Sequence, residues 1–148
     1  MRKDIAYKEI IQKVKDKLNK DKLNIEQEMD FLNDFFTPDG FINTKDKIII
    51  IEHSSTGDRK AHIGELLQAF TFMKVNSKDT ILITVLDNDN ENGPKKAIEQ
   101  ERLEYFLHSL KQDYQSHSFE VYVLDKNEVN TVTKLKKFIL NLLEEREP

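Results

Sequence analysis

The chain has no cysteine and no tryptophan, and only four glycines and three prolines in 148 residues. Without cysteine there are no disulfides, no thiolate metal ligands and no cysteine nucleophile, a composition that fits a reducing compartment. The glycines stand at positions 40, 57, 64 and 93, so neither GxGxxG nor GxxxxGK can be written, and phosphate binding by a glycine-rich loop is excluded. GxSxG is also absent, which removes the nucleophile elbow of the common esterases. No apolar run exceeds four residues, and the opening MRKDIAYKEI lacks an apolar core. We therefore expect neither a secretory signal nor a membrane span, and a cytoplasmic protein. A basic excess is missing too. The 23 Lys and Arg against 27 Asp and Glu leave a net charge of -4, so no global positive field draws nucleic acid and any such contact is local. Carboxylates, histidine and metal ions are the chemistry left open.

The balance of 38% apolar against 34% charged residues fits one globular domain over residues 1–148. From Asp4 to Leu18, Tyr7, Ile11, Val14 and Leu18 recur at helical spacing and predict an amphipathic first helix. Eight basic residues against four acidic ones through residue 22 read as a solvated lysine-rich face, with phosphate contact the alternative. The stretch MDFLNDFFTPDGFI, the turn-like NTKDK and the run Ile48 to Ile51 predict two or three strands with hairpin connections. Four consecutive isoleucines predict a central strand covered on both faces. A second helix carries Ile63, Leu66, Leu67, Phe70 and Met73, and TILITVL from Thr80 is a further buried strand. A third helix carries Leu103, Phe106, Leu107 and Leu110. FEVYVL is the last strand, and a final helix carries Val132, Leu135, Phe138, Ile139 and Leu142. The strand-helix-strand passages after Ile48 favour parallel neighbours. The expectation is an α/β domain with a mixed sheet flanked by helices.

With the hairpin turn centred between Lys45 and Asp46, paired residue numbers sum to 91, Ile50 faces Phe41, and Glu52 faces Asp39. Opposed side chains share a sheet face with Cβ atoms about 5 Å apart. Two carboxylates at that range repel unless a cation separates them, and Mg²⁺ or Mn²⁺ suits oxygen ligands. Asp39 alone reads as a turn aspartate in Pro-Asp-Gly, whereas Glu52 follows buried isoleucines and needs partners there. His62 shares a helical face with Asp58 and Glu65, and a helix-start hydrogen bond competes with a role near phosphate. His53, on the strand face opposite Glu52, reads as a packed or edge-exposed residue and not a ligand, and nothing marks His108 or His117. Asp87, Asp89 and Glu91 alternate as in a calcium loop but lack its glycine and terminal glutamate, so a solvated loop is expected.

The order of a first helix, then PDGFI, IIIIEHS and HIGELLQAFTF, resembles the PD-(D/E)XK nuclease superfamily, with its restriction-endonuclease-like fold. The resemblance implies an α/β fold and a Mg²⁺-dependent or Mn²⁺-dependent hydrolase of phosphodiester bonds, with DNA as partner, no membrane, and a homodimer allowed. It places the metal on Asp39 and Glu52, with Glu9 of the first helix as a further ligand. The stretch IIEHSSTGDRKAHIGELLQ is also similar to a bacterial subset carrying Asp58, His62, Gly64, Leu66 and Leu67 at matching places. The family's lysine, two residues after the acidic strand end, is Ser54 here, which supplies a hydroxyl but no positive charge. Lys60 is the nearest lysine on the following helix. Gln68 and Phe72 resemble a Gln-x-x-x-Tyr pattern, with Phe for Tyr. If want of that charge slows a metal-binding site, a lysine at 54 is expected to raise cleavage; if Lys60 already fills the role, it is expected to change little. The alternative is a catalytically degenerate binding module or subunit of a defence or repair system.

Overall fold

The computed structural model describes residues 2–20, 36–54, 59–87 and 95–144. The segment MDFLNDF and the positions Asp58, Asp89 and Glu91 lie outside them. The elements run α1 (Arg2–Lys20), β1 (Gly40–Asn43), β2 (Lys47–Ser54), α2 (Arg59–Asn76), β3 (Asp79–Leu86), α3 (Lys96–Lys111), β4 (Phe119–Asp125) and α4 (Val132–Glu144). The four strands form one mixed sheet in the order β1-β2-β3-β4. β1 runs antiparallel to β2, and β2, β3 and β4 are mutually parallel.

The isoleucine run sits where its composition requires. Paired on both sides, Ile48 to Ile51 are wholly buried. Because side chains alternate across a strand, Ile49 and Ile51 pack with Tyr7, Ile11, Val14 and Leu18 of α1 and Leu135, Ile139 and Leu142 of α4. Ile48 and Ile50 enter the opposite layer with Leu66, Phe70 and Met73 of α2 and Leu103 and Leu107 of α3. Both crossover helices therefore cover one face, and the first and last helices cover the other. The outer edge of β4 is partly occupied by the Gln100 carboxamide. It donates to the Val121 carbonyl at 2.7 Å and accepts from the Val123 amide at 2.6 Å, much as a neighbouring strand would.

The buried stripes of α2 and α3 are narrower than their apolar spacing predicts. Leu67 and Phe106 are exposed, while Ala69 and Phe72 are buried in their stead. Phe72 is held by an edge contact with Phe36, ring centres 5.7 Å apart. No helix among the described residues is long and apolar enough to cross a membrane.

The β1–β2 hairpin closes at Thr44, whose amide donates to the Lys47 carbonyl at 2.8 Å and whose hydroxyl accepts from the Lys47 amide at 3.0 Å. The register that follows pairs Gly40 with Ile51, Phe41 with Ile50 and Ile42 with Ile49, as the expected sum of 91 requires. α1 crosses β1 at Gly40, where a Cβ would lie 2.5 Å from Ile11 Cγ2 and 3.1 Å from its Cδ1. Ile11 is buried and branched at Cβ, so it cannot swing clear. Gly40→Ala should therefore destabilise the fold by about 1 to 3 kcal/mol. Urea unfolding measures this, and a variant as stable as the wild type would contradict the close approach of α1.

Candidate functional site

Asp39 directly precedes β1, and its carboxylate bonds across the hairpin instead of closing a local turn. The His53 amide donates to Asp39 Oδ2 at 2.7 Å, and the Asp39 amide points at Glu52 Oε1 at 3.4 Å. Each acidic residue thus holds the other's strand. Lys8 Nζ lies 3.9 Å from Asp39 Oδ1, a long contact between a mostly exposed lysine and a half-buried carboxylate that adds little stability.

Glu52 is 6% exposed and points to the α2 side of the sheet, the face of Ile48 and Ile50. Burial, then the charges of Glu65 and Asp39, push its carboxyl up to about 9, with the Asp39 amide opposing. Glu65, on α2, is raised to about 7, first by burial and then by Asp39. Thr84 stands beside Glu52 in the parallel register. Its buried hydroxyl, and Oε1 of Glu65, have no hydrogen-bond partner among the described residues. Such orphaned oxygens in a native interior call for water or an ion. Among the described residues no three His, Asp or Glu side chains are arranged as a ready metal-binding group. The donor chemistry nevertheless fits a hard divalent cation: all oxygen, crowded with like charge, and with raised carboxyls at Glu52 and Glu65 whose protons a cation would replace.

The other sequence-predicted residues fall elsewhere. Glu9 is exposed on α1, and the third carboxylate near the pair is Glu65. Lys60 and Gln68 are exposed on α2, and Phe72 is core. Ser54 follows Glu52 on the same strand face but is not an empty lysine slot. Its Oγ lies 2.9 Å from His62 Nε2. A lysine there would displace that contact and bring a buried charge, so the gain in cleavage expected from the sequence does not follow.

His62, fully buried, contacts Glu99 Oε2 through Nδ1 at 2.5 Å, which replaces the expected pairing with Glu65 or a helix-start amide. Arg102 grips both Glu99 oxygens, each at 2.8 Å. Burial opposes ionisation of Glu99, but the hydrogen bonds from Arg102 and His62 outweigh it and hold the carboxyl below its ordinary range. His53 packs on Tyr7, ring centres 4.8 Å apart, on the opposite sheet face.

Glu65, Glu99 and Arg102 are the site residues that sequence reasoning missed. A signal for Glu99 was present: it precedes Leu103 and Leu107 by four and eight residues, on the buried stripe of α3. His62 stands four residues before Leu66 in the same relation.

The raised carboxyls make stability depend on pH. Glu52, with a folded value of about 9 against 4.5, binds more protons folded than unfolded, so it stabilises below 4.5 and loses that contribution as pH rises towards 9. Glu65 acts in the same sense between 4.5 and about 7. In a chelator, the unfolding free energy should fall between about pH 5 and pH 9, at up to about 1.4 kcal/mol per pH unit per proton, and the melting temperature should fall with it. Glu52→Gln should flatten the decline. Equal declines in both proteins would contradict the assignment.

Compared with protein-family models, curated proteins and solved structures, the chain matches none of them.

Proposed function

We propose that the chain is a Mg²⁺-dependent or Mn²⁺-dependent nuclease of restriction-endonuclease-like fold that hydrolyses phosphodiester bonds, with DNA as its substrate. The observation that carries this reading is the opposition of Asp39 and Glu52 across an antiparallel hairpin, bonded to each other's strand and crowded by Glu65. Asp39 and Glu52 would hold the cation, with Glu65 and the Thr84 hydroxyl beside them. A bound divalent ion would polarise a water and offset charge on the leaving oxygen. Lys8, 3.9 Å from Asp39 and mostly exposed, is placed to meet a phosphate oxygen. The element order supports the fold: a helix, a hairpin bearing both acids, a crossover helix and a parallel strand.

A second reading, a non-catalytic module of the same fold, is favoured by one observation: the place of the family's lysine is taken by Ser54, already bonded to His62. Plasmid nicking separates the two. The wild type should cut with Mg²⁺ or Mn²⁺ and stop in chelator. Asp39→Asn and Glu52→Gln should each lose at least about 100-fold, because one carboxylate holds Mg²⁺ poorly. Cleavage that survives either change contradicts the site. DNA binding at low salt without cleavage favours the module.

A further inference from the structure

The lysine-rich character of the first helix extends across the layer it belongs to. In α1 seven basic residues stand against three acidic, and in α4 three against one, so these two helices sum to +6 in a chain whose net charge is -4. In α2 the count is three to one and in α3 three to three, a sum of only +2. The sheet therefore separates a strongly basic helical layer from a nearly neutral one. α1 and α4 pack together, and a groove of about 390 Å³ lies along their seam. That volume falls in the range of ligand clefts, about 300 to 1,000 Å³.

Half-buried Val132 and Leu140 give the groove apolar walls, and Lys17 of α1 lines it together with Lys136 and Lys137 of α4. Glu144 is the acid among the lining residues, so three positive charges meet one negative. Among the described residues Lys17 and Lys137 have no ion pair, whereas Lys134 donates to the Asn127 carbonyl at 3.2 Å and to Asn130 Oδ1 at 3.4 Å. Thr133, Lys137 and Asn141 follow at four-residue spacing and share one stripe of α4. Eight residues of helix extend about 12 Å, the length of about three to four nucleotide steps along one strand. Lysine, threonine and asparagine are among the side chains that hold phosphate and sugar in nucleic-acid complexes. Low-dielectric walls also concentrate the field of a cleft lined by one sign of charge.

We propose that the groove between α1 and α4 binds the phosphate backbone of DNA. The lysines meet phosphate oxygens, Thr133 and Asn141 donate to the backbone beside them, and Val132 and Leu140 keep the cleft weakly screened. Two other kinds of partner fit less well. A helix that lies on a lipid surface carries exposed apolar side chains, and the exposed large apolar residues among those described, Leu67, Val75, Ile98, Tyr105 and Phe106, all stand on α2 and α3. A protein partner is anchored mainly by aromatic or arginine side chains in pockets, and none of the described residues lining this groove is aromatic or arginine. The surface does not depend on the nuclease reading, because it needs neither Asp39, Glu52 nor a metal ion. To that reading it adds a place for DNA away from the acid pair, contacted without regard to base sequence.

The experiment is fluorescence anisotropy of a short labelled DNA duplex with the full-length chain in chelator, over a salt series, so that no cleavage intervenes. The groove variant carries Lys17→Gln, Lys136→Gln and Lys137→Gln. A control carries Lys74→Gln, Lys95→Gln and Lys111→Gln, the same loss of charge beside the other helical layer. The wild type should bind at low salt. The groove variant should bind at least about 10-fold more weakly, its slope of log affinity against log salt shallower by about 0.9 for each phosphate contact removed. The control should stay within about threefold of the wild type, as a change in overall field alone would give. Lys17→Arg, Lys136→Arg and Lys137→Arg together should keep the affinity. Amide NMR shifts of the wild type on adding duplex should cluster in α1 and α4, a readout that needs no variant to fold. Equal weakening of the groove variant and the control, an unchanged groove variant, or shifts confined to α2 and α3 overturns the proposal. So does a wild type that binds no duplex at low salt, or that binds phosphatidylserine vesicles more tightly than DNA. A wild type that binds through the groove and never cuts with Mg²⁺ or Mn²⁺ upholds the surface and fails the nuclease reading. One that cuts while its groove variant binds as before fails the surface alone.

Discussion

The register of one hairpin governs the site. Thr44 closes the turn against Lys47, and that closure places Asp39 opposite Glu52 at the open end. A slip of one residue would turn every β2 side chain to the other face, moving Glu52 towards α1 and taking Ile48 and Ile50 out of the α2 layer. The wholly buried isoleucines hold the register because both layers need them. The carboxylates, by contrast, weaken the fold: Glu52 is buried and crowded by Glu65 and Asp39. The hairpin is stable enough to keep an arrangement that its own electrostatics disfavour.

From that strand the remaining polar groups follow by geometry. α2 runs back along β2 from its far end, so His62 meets Ser54 and Glu65 comes near Glu52. α3 packs beside α2 in the same layer and brings Glu99 to His62. Two families of groups result, carboxylates on one side and a serine-histidine-glutamate chain on the other, joined through β2. The ligands of open α/β sheets commonly lie outside the carboxyl ends of parallel strands, and Ser54 and Leu86 end two such strands here.

Much of this was legible in the chain. Tyr7, Ile11, Val14 and Leu18 gave the first helix at true helical spacing, and the isoleucine run and NTKDK turn gave both the central strand and its register. What could not be read was partnership between distant elements. Glu99 lies in the charged stretch KKAIEQERLEY, where a carboxylate reads as solvated, and only the docking of α3 on α2 buries it. Spacing pairs Glu65 with His62, whereas its electrostatic neighbours Glu52 and Asp39 are across the helix-sheet interface. Local position alone sets Ser54 against a lysine and carries no record of the histidine eight residues on. Leu67 and Phe106 fit the apolar period yet lie exposed, because periodicity alone does not mark where a covering layer stops.

On the proposed reading, a cation beside Asp39 would replace the protons that Glu52 and Glu65 hold in its absence. Calorimetric titration of the full chain with Mn²⁺ at pH 7, repeated in buffers of different ionisation enthalpy, counts the protons that binding expels. With Glu52 raised to about 9 and Glu65 to about 7, binding should release between about one and two protons. It should be lost in Glu52→Gln. Binding without proton release, or no binding at all, would contradict the account.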